Sequence, residues 1–71
     1  MAIINDLHLC NDRPQERTAV SADYCFDHSL FQIRTYKNGD TNRSEGSKQN
    51  IQINKEMAQI IIDRLQEFIN Q

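Results

Sequence analysis

Near residue 54 the apolar spacing of this chain changes period, and a chain with that change has few folds open to it. Before it, Ile51 and Ile53 alternate with Asn50 and Gln52, the two-residue repeat of a half-buried strand. After it, Met57, Ala58, Ile61, Ile62, Leu65, Phe68 and Ile69 recur at three- and four-residue steps, the stripe of an amphipathic helix. Asn54 stands between the two patterns, and its side chain suits an N-cap. The spacing therefore predicts a strand over 49–53 and a helix over 55–69.

Upstream, Leu30-Phe31-Gln32-Ile33-Arg34-Thr35-Tyr36-Lys37 puts Phe31, Ile33 and Thr35 on one face and Gln32, Arg34 and Tyr36 on the other. β-branched and aromatic residues dominate it, so a strand is expected over 30–37. Asn38-Gly39 ends that strand because this pair readily takes positive φ. Thr41 to Lys48 is polar and reads as a mobile loop. Val20, Ala22, Tyr24 and Phe26 alternate with Ser21, Asp23 and Cys25, giving a strand over 18–26. Leu7 and Leu9 suggest one more strand over 3–9, and the polar, proline-containing 11–17 reads as a loop. The sum is α+β, a single domain over 1–71: a four-stranded antiparallel β-meander followed by one C-terminal amphipathic helix covering one sheet face.

Size decides how that helix is used. A chain of 71 residues buries only about 60% of the surface it exposes unfolded, so its core is marginal without a staple or a partner. Ile60 widens the apolar arc beyond what one small sheet covers, and a homodimer through the C-terminal helix is expected. No apolar run reaches membrane-span length, and Met1-Ala2-Ile3-Ile4-Asn5-Asp6 lacks the basic and apolar regions of a signal peptide. A cytoplasmic, intracellular protein without membrane association is the expectation.

The net charge is −2, unlike a globally basic nucleic-acid binder. It is unevenly spread: residues 1–30 carry −3, residues 31–55 carry +3 and residues 56–71 carry −2. With the helix on one face, the other would present Gln32, Arg34, Tyr36, Asn50 and Gln52, with Lys37 and Lys48 at the strand ends. Bases stack on aromatic rings and guanidinium planes while lysines follow phosphates, so this face suits single-stranded nucleic acid. The plainer reading is a solvated sheet face.

His8-x-Cys10 and Cys25-x-x-His28 supply four zinc-type ligands, but their spacing is not that of a finger or ribbon. Reduced thiols and surface histidines are expected instead, with no metal and no cofactor. There is no paired-carboxylate motif, phosphate loop or nucleophile elbow, so an enzyme is not expected.

The stretch Phe31-Gln32-Ile33-Arg34-Thr35-Tyr36, a polar loop, Ser47-Lys48-Gln49-Asn50-Ile51-Gln52-Ile53 and the amphipathic helix resemble the transcriptional coactivator family typified by positive cofactor four. That family shows an Ile-Arg-x-Tyr type strand, a loop, a Lys-Gly-Ile-x-Leu type strand and a helix; its small bacterial members have a similar size. The resemblance covers roughly residues 20–70. It implies a curved four-stranded sheet, a helix-mediated homodimer and single-stranded DNA held by facing sheets. Arg34 and Tyr36 match the family's strand residues, and Lys48 matches the basic residue before the last strand. Gln49-Asn50 replaces the glycine region, tryptophan is missing and the chain is acidic rather than basic.

The expected function is single-stranded DNA or RNA binding in transcription or replication. Arg34 and Tyr36 would contact bases, and Lys37, Arg43 and Lys48 would hold the backbone. The alternative is a small acidic protein–protein interaction module or inhibitor, fitted to a basic groove on a larger partner.

Overall fold

The computed structural model describes residues 1–40, 42 and 44–71. It contains β1 (Ala2–Ile3), β2 (Ser21–Phe26), β3 (Leu30–Tyr36), β4 (Gln49–Asn54) and α1 (Lys55–Ile69). The strands form one sheet in the order β1-β4-β3-β2. α1 has the bounds that its periodicity predicts.

The β2–β3 hairpin is set by its turn. The Asp27 carboxylate accepts from the backbone N–H of Ser29 at 2.8 Å and of Leu30 at 2.9 Å. The backbone N–H of Asp27 donates to the Leu30 carbonyl at 3.1 Å. This places Phe26 opposite Phe31, Tyr24 opposite Ile33 and Asp23 opposite Arg34. β3 leaves through a tight turn in which the Asp40 N–H donates to the Lys37 carbonyl at 2.9 Å, with Gly39 at φ +84°. A side chain resists that φ, which is why glycine follows Asn38 here. β4 returns antiparallel, with Arg34 opposite Asn50 and Gln32 opposite Gln52.

Three expectations are corrected. The first strand spans Ala2–Ile3 rather than 3–9, and it pairs parallel to β4, so the sheet is mixed and not an antiparallel meander. Strands joined by short turns must run antiparallel. β1 and its neighbour β4 are far apart in sequence, so no hairpin fixes their direction, and Leu7 and Leu9 meet no free strand of length. β2 also begins at Ser21 rather than at Thr18. Continuing the register would set Val20 against Lys37, where β3 has already turned away.

Alternation gives the sheet two unlike faces. Ser21, Asp23, Cys25, Gln32, Arg34, Tyr36, Asn50 and Gln52 share one; Ala22, Tyr24, Phe26, Phe31, Ile33, Ile51 and Ile53 share the other. α1 starts directly from β4: Asn54 is the last residue of the strand and the N-cap of the helix, its side chain accepting from the Met57 N–H at 2.9 Å. The helix contacts β4 and β3, and Ala58 lines a hollow with Phe26, Phe31 and Ile53 of the apolar face. Among the described residues only Tyr36 (9% exposed) and Met57 (5%) are buried apolar side chains.

Candidate functional site

On the polar face the side chains connect in rows across the strands. Gln52 Nε2 donates to Gln32 Oε1 at 2.8 Å and lies 3.5 Å from Met1 Sδ, while Gln32 Nε2 lies 4.0 Å from Cys25 Sγ. In the next row Arg34 Nε donates to Asp23 Oδ1 at 3.0 Å and Arg34 Nη2 to Asp23 Oδ2 at 3.1 Å. This bidentate pair is half-buried, the side chains being 36% and 20% exposed. The hydrogen bonds that Arg34 donates to Asp23, and then the charge of that carboxylate, raise the Arg34 pKa above the ordinary guanidinium value. Beside them Asn50 Oδ1 is buried and has no hydrogen-bond partner among the described residues.

The residues expected to bind nucleic acid are placed as follows. Arg34 and Tyr36 share the polar face, but Arg34 holds Asp23, and Tyr36 is only 9% exposed, so it offers little area for stacking. Lys37 is exposed and pairs with Glu45 at 3.3 Å. Lys48 is exposed, its backbone N–H donating to the Thr35 carbonyl at 2.7 Å. Arg43 lies outside the described residues. The Asp40 carboxylate accepts from the backbone N–H of Ser44 and of Glu45, both at 3.2 Å, and from the Ser44 hydroxyl at 3.1 Å. The Glu45 N–H first, and then the Ser44 groups, hold the Asp40 carboxyl below its ordinary value.

Asp23 is the partner of Arg34 that the sequence alone did not single out. The signal was present: a two-residue turn at His28-Ser29 puts Asp23 directly across from Arg34. For metal chemistry nothing assembles, since no group of three or more His, Cys, Asp or Glu is gathered among the described residues. His8, Cys10, Cys25 and His28 are all exposed, and His8 Nε2 sits 3.6 Å from an Asp6 carboxylate oxygen.

The apolar face is the larger anomaly. Tyr24 and Phe26 stack on Phe31 with centroids at 5.5 and 6.0 Å, yet they are 68% and 70% exposed. Ile33, Ile51, Ile62, Leu65, Phe68 and Ile69 are exposed as well. The sheet and the helix thus each leave an apolar surface open. The chain exposes 6510 Å². A folded monomer of 8.3 kDa is expected to expose about 4,600 Å², which leaves an excess of about 1,900 Å².

No helix among the described residues is long and apolar enough to cross a membrane. Compared with protein-family models, curated proteins and solved structures, the chain matches none.

Proposed function

We propose that this chain is a protein–protein interaction module whose first partner is a second copy of itself. The observation that carries this reading is the open apolar surface of the helix and sheet faces, where Tyr24, Phe26, Ile62, Leu65, Phe68 and Ile69 are all exposed. A standard interface removes about 800 Å² per partner, and the whole-chain excess of about 1,900 Å², part of which belongs to the exposed residues 5–20, leaves room for one of that size. Both surfaces belong to every copy, so a two-fold pairing in which each helix enters the other's open side is self-complementary. Once paired, the molecule offers solvent an acidic exterior and two amide-rich sheet faces, which suits a basic surface on a larger protein. Sedimentation equilibrium tests the pairing. The expected mass is twice the 8.3 kDa chain at micromolar concentration, and a single-chain mass throughout removes the reading.

A second reading keeps single-stranded nucleic acid as the ligand of the polar face. It draws on the Gln32–Gln52 row, the buried Asn50 Oδ1 and the resemblance to the positive-cofactor-four family. The electrostatics favour the protein reading, because two of the expected cations already hold acids of the same chain. Affinity for a polyanion comes mainly from cations that displace counterions. Titration of a labelled oligo-dT distinguishes the readings: binding that weakens with salt supports the second, and no binding at low salt leaves the first alone.

A further inference from the structure

The two edges of the sheet differ in length. β1 closes one with two residues, whereas β2 presents six at the other. An open edge is a template for a further strand, and folds that stay apart blunt it with lysine, proline or a bulge. β2 has none of these: Ser21-Ala22-Asp23-Tyr24-Cys25-Phe26 pairs residue for residue with β3 along its whole length. Its one acidic side chain, Asp23, is drawn onto Arg34 of β3. The Asp27 N–H donates to the Leu30 carbonyl, so by alternation the backbone groups of Ser21, Asp23 and Cys25 face β3. Those of Ala22, Tyr24 and Phe26 face outward, and the side chains of the same three residues stand on the apolar face, where Tyr24 and Phe26 are exposed. Among the described residues β2 touches no element other than β3.

We propose that two copies pair along β2, antiparallel about a two-fold axis at Tyr24, to make one continuous sheet. The inference rests on the dimer reading above and names the strand through which the copies join. The register identifies the occupant. Outward residues can bond only to outward residues, and a pairing centred on Tyr24 sets Ala22 against the partner's Phe26 and Tyr24 against the partner's Tyr24. Every outward N–H and C=O of the strand then meets its counterpart. The side chains match as well: Ala22 leaves room for the partner's Phe26, and Asp23 faces the partner's Cys25 rather than another acid. Centred on Asp23, the pairing would oppose two carboxylates and push Phe26 against a residue outside the strand. Centred on Cys25, it would do the same to Ala22. β2 therefore fits its own image in a single register. Antiparallel edges related by a two-fold axis carry their apolar faces on the same side. The aromatic strips of the two copies then form one floor, flanked by the two helices, each of which contacts β3 and β4 of its own chain.

Amide hydrogen exchange, read residue by residue by NMR on the unaltered chain, tests the pairing. In a protein that sediments at twice the chain mass, the amides of Ala22, Tyr24 and Phe26 are expected to exchange at least about tenfold more slowly than in an unstructured chain, as those of Asp23 and Cys25 do. An alternating pattern in such a dimer, with Asp23 and Cys25 protected and the other three fast, overturns the edge pairing and leaves the dimer standing. A protein that sediments as a monomer overturns both. Disulfide formation gives an independent check. With Cys10→Ser and Cys25→Ser, Tyr24→Cys leaves one thiol per chain, placed on the two-fold axis within bridging distance of its copy. In a chain carrying Cys10→Ser alone, Cys25 meets the partner's Cys25 only diagonally, at about 7–8 Å, too far for a bridge. Under mild oxidation the Tyr24→Cys dimer is expected to link at least about tenfold faster than the Cys25 dimer on a non-reducing gel. Equal or slower linking overturns the proposal.

Discussion

Asp23→Asn keeps the shape of the group that faces Arg34 and removes its charge. If the polar face takes single strands, the variant is expected to bind labelled oligo-dT of about 20 nucleotides several-fold more tightly than the parent at low salt. The salt slope should steepen by about 0.7, the value of one further phosphate contact on a single strand. Fluorescence anisotropy at two salt concentrations reads both quantities, and equal affinities would detach Arg34 from any nucleic-acid role. Asp27 and Asp40 make a different prediction. Backbone N–H groups, led by that of Leu30 for Asp27 and of Glu45 for Asp40, hold both carboxyls below their ordinary value of 3.8. A carboxyl depressed by folding stabilises the fold above its unfolded pKa, and that contribution is lost as pH falls through the folded value. Acid unfolding followed by circular dichroism should therefore steepen below pH 3.8, and Asp27→Asn with Asp40→Asn should flatten that limb. At this scale the sequence gives each residue's face but not its neighbour. Alternation alone puts Arg34 and Tyr36 together. Only the hairpin register shows that Asp23 occupies the guanidinium, and only packing at the end of β3 shows how little of Tyr36 reaches solvent.

Among the elements, α1 was the most legible, because both its stripe and its cap are local. Asn54 closes β4 and caps the helix with one side chain, so the boundary tolerates little variation. Asn54→Ala removes the acceptor of the Met57 N–H and is expected to cost about 1 kcal/mol. Urea denaturation should show this as a lower midpoint with an unchanged slope, whereas an unchanged midpoint would mean that water or a neighbouring group replaces the cap. β2, β3 and β4 were legible for a similar reason: turn residues and alternation lie within each strand or beside it. β1 was not. Its two residues pair with Ile51 and Gln52, nearly fifty positions away, and neither composition nor period encodes a partner at that distance. The apolar alternation at Leu7 and Leu9 looked like the continuation of a strand because its true neighbour is the flank of a helix.

For the whole molecule the deciding quantity is the surface left open, which no single element reveals. Each element is amphipathic in the ordinary way, but α1 rises from the end of β4 with only its first turns against the sheet, so much of two apolar faces goes uncovered. Chain length hinted at this shortfall; how little of the helix meets the sheet was not readable from a periodicity. If a second copy closes the gap, folding and association are one equilibrium, and stability depends on protein concentration. Unfolding enthalpy averages about 0.7 kcal/mol per residue, so a dimer of 71-residue chains should absorb about 100 kcal/mol. From that enthalpy, each tenfold dilution is expected to lower Tm by about 5 °C, whereas a monomer's Tm does not move. Calorimetry or circular dichroism over a hundredfold concentration range separates the two. Leu65→Asp sharpens the comparison, since it puts a charge on the exposed apolar arc away from the flank that Leu7 and Leu9 line. It should abolish the concentration dependence and lower Tm at every concentration, because the monomer it isolates keeps those apolar faces in water. A Leu65→Asp chain as stable and as concentration-dependent as the parent would mean that the helix is not where the copies meet.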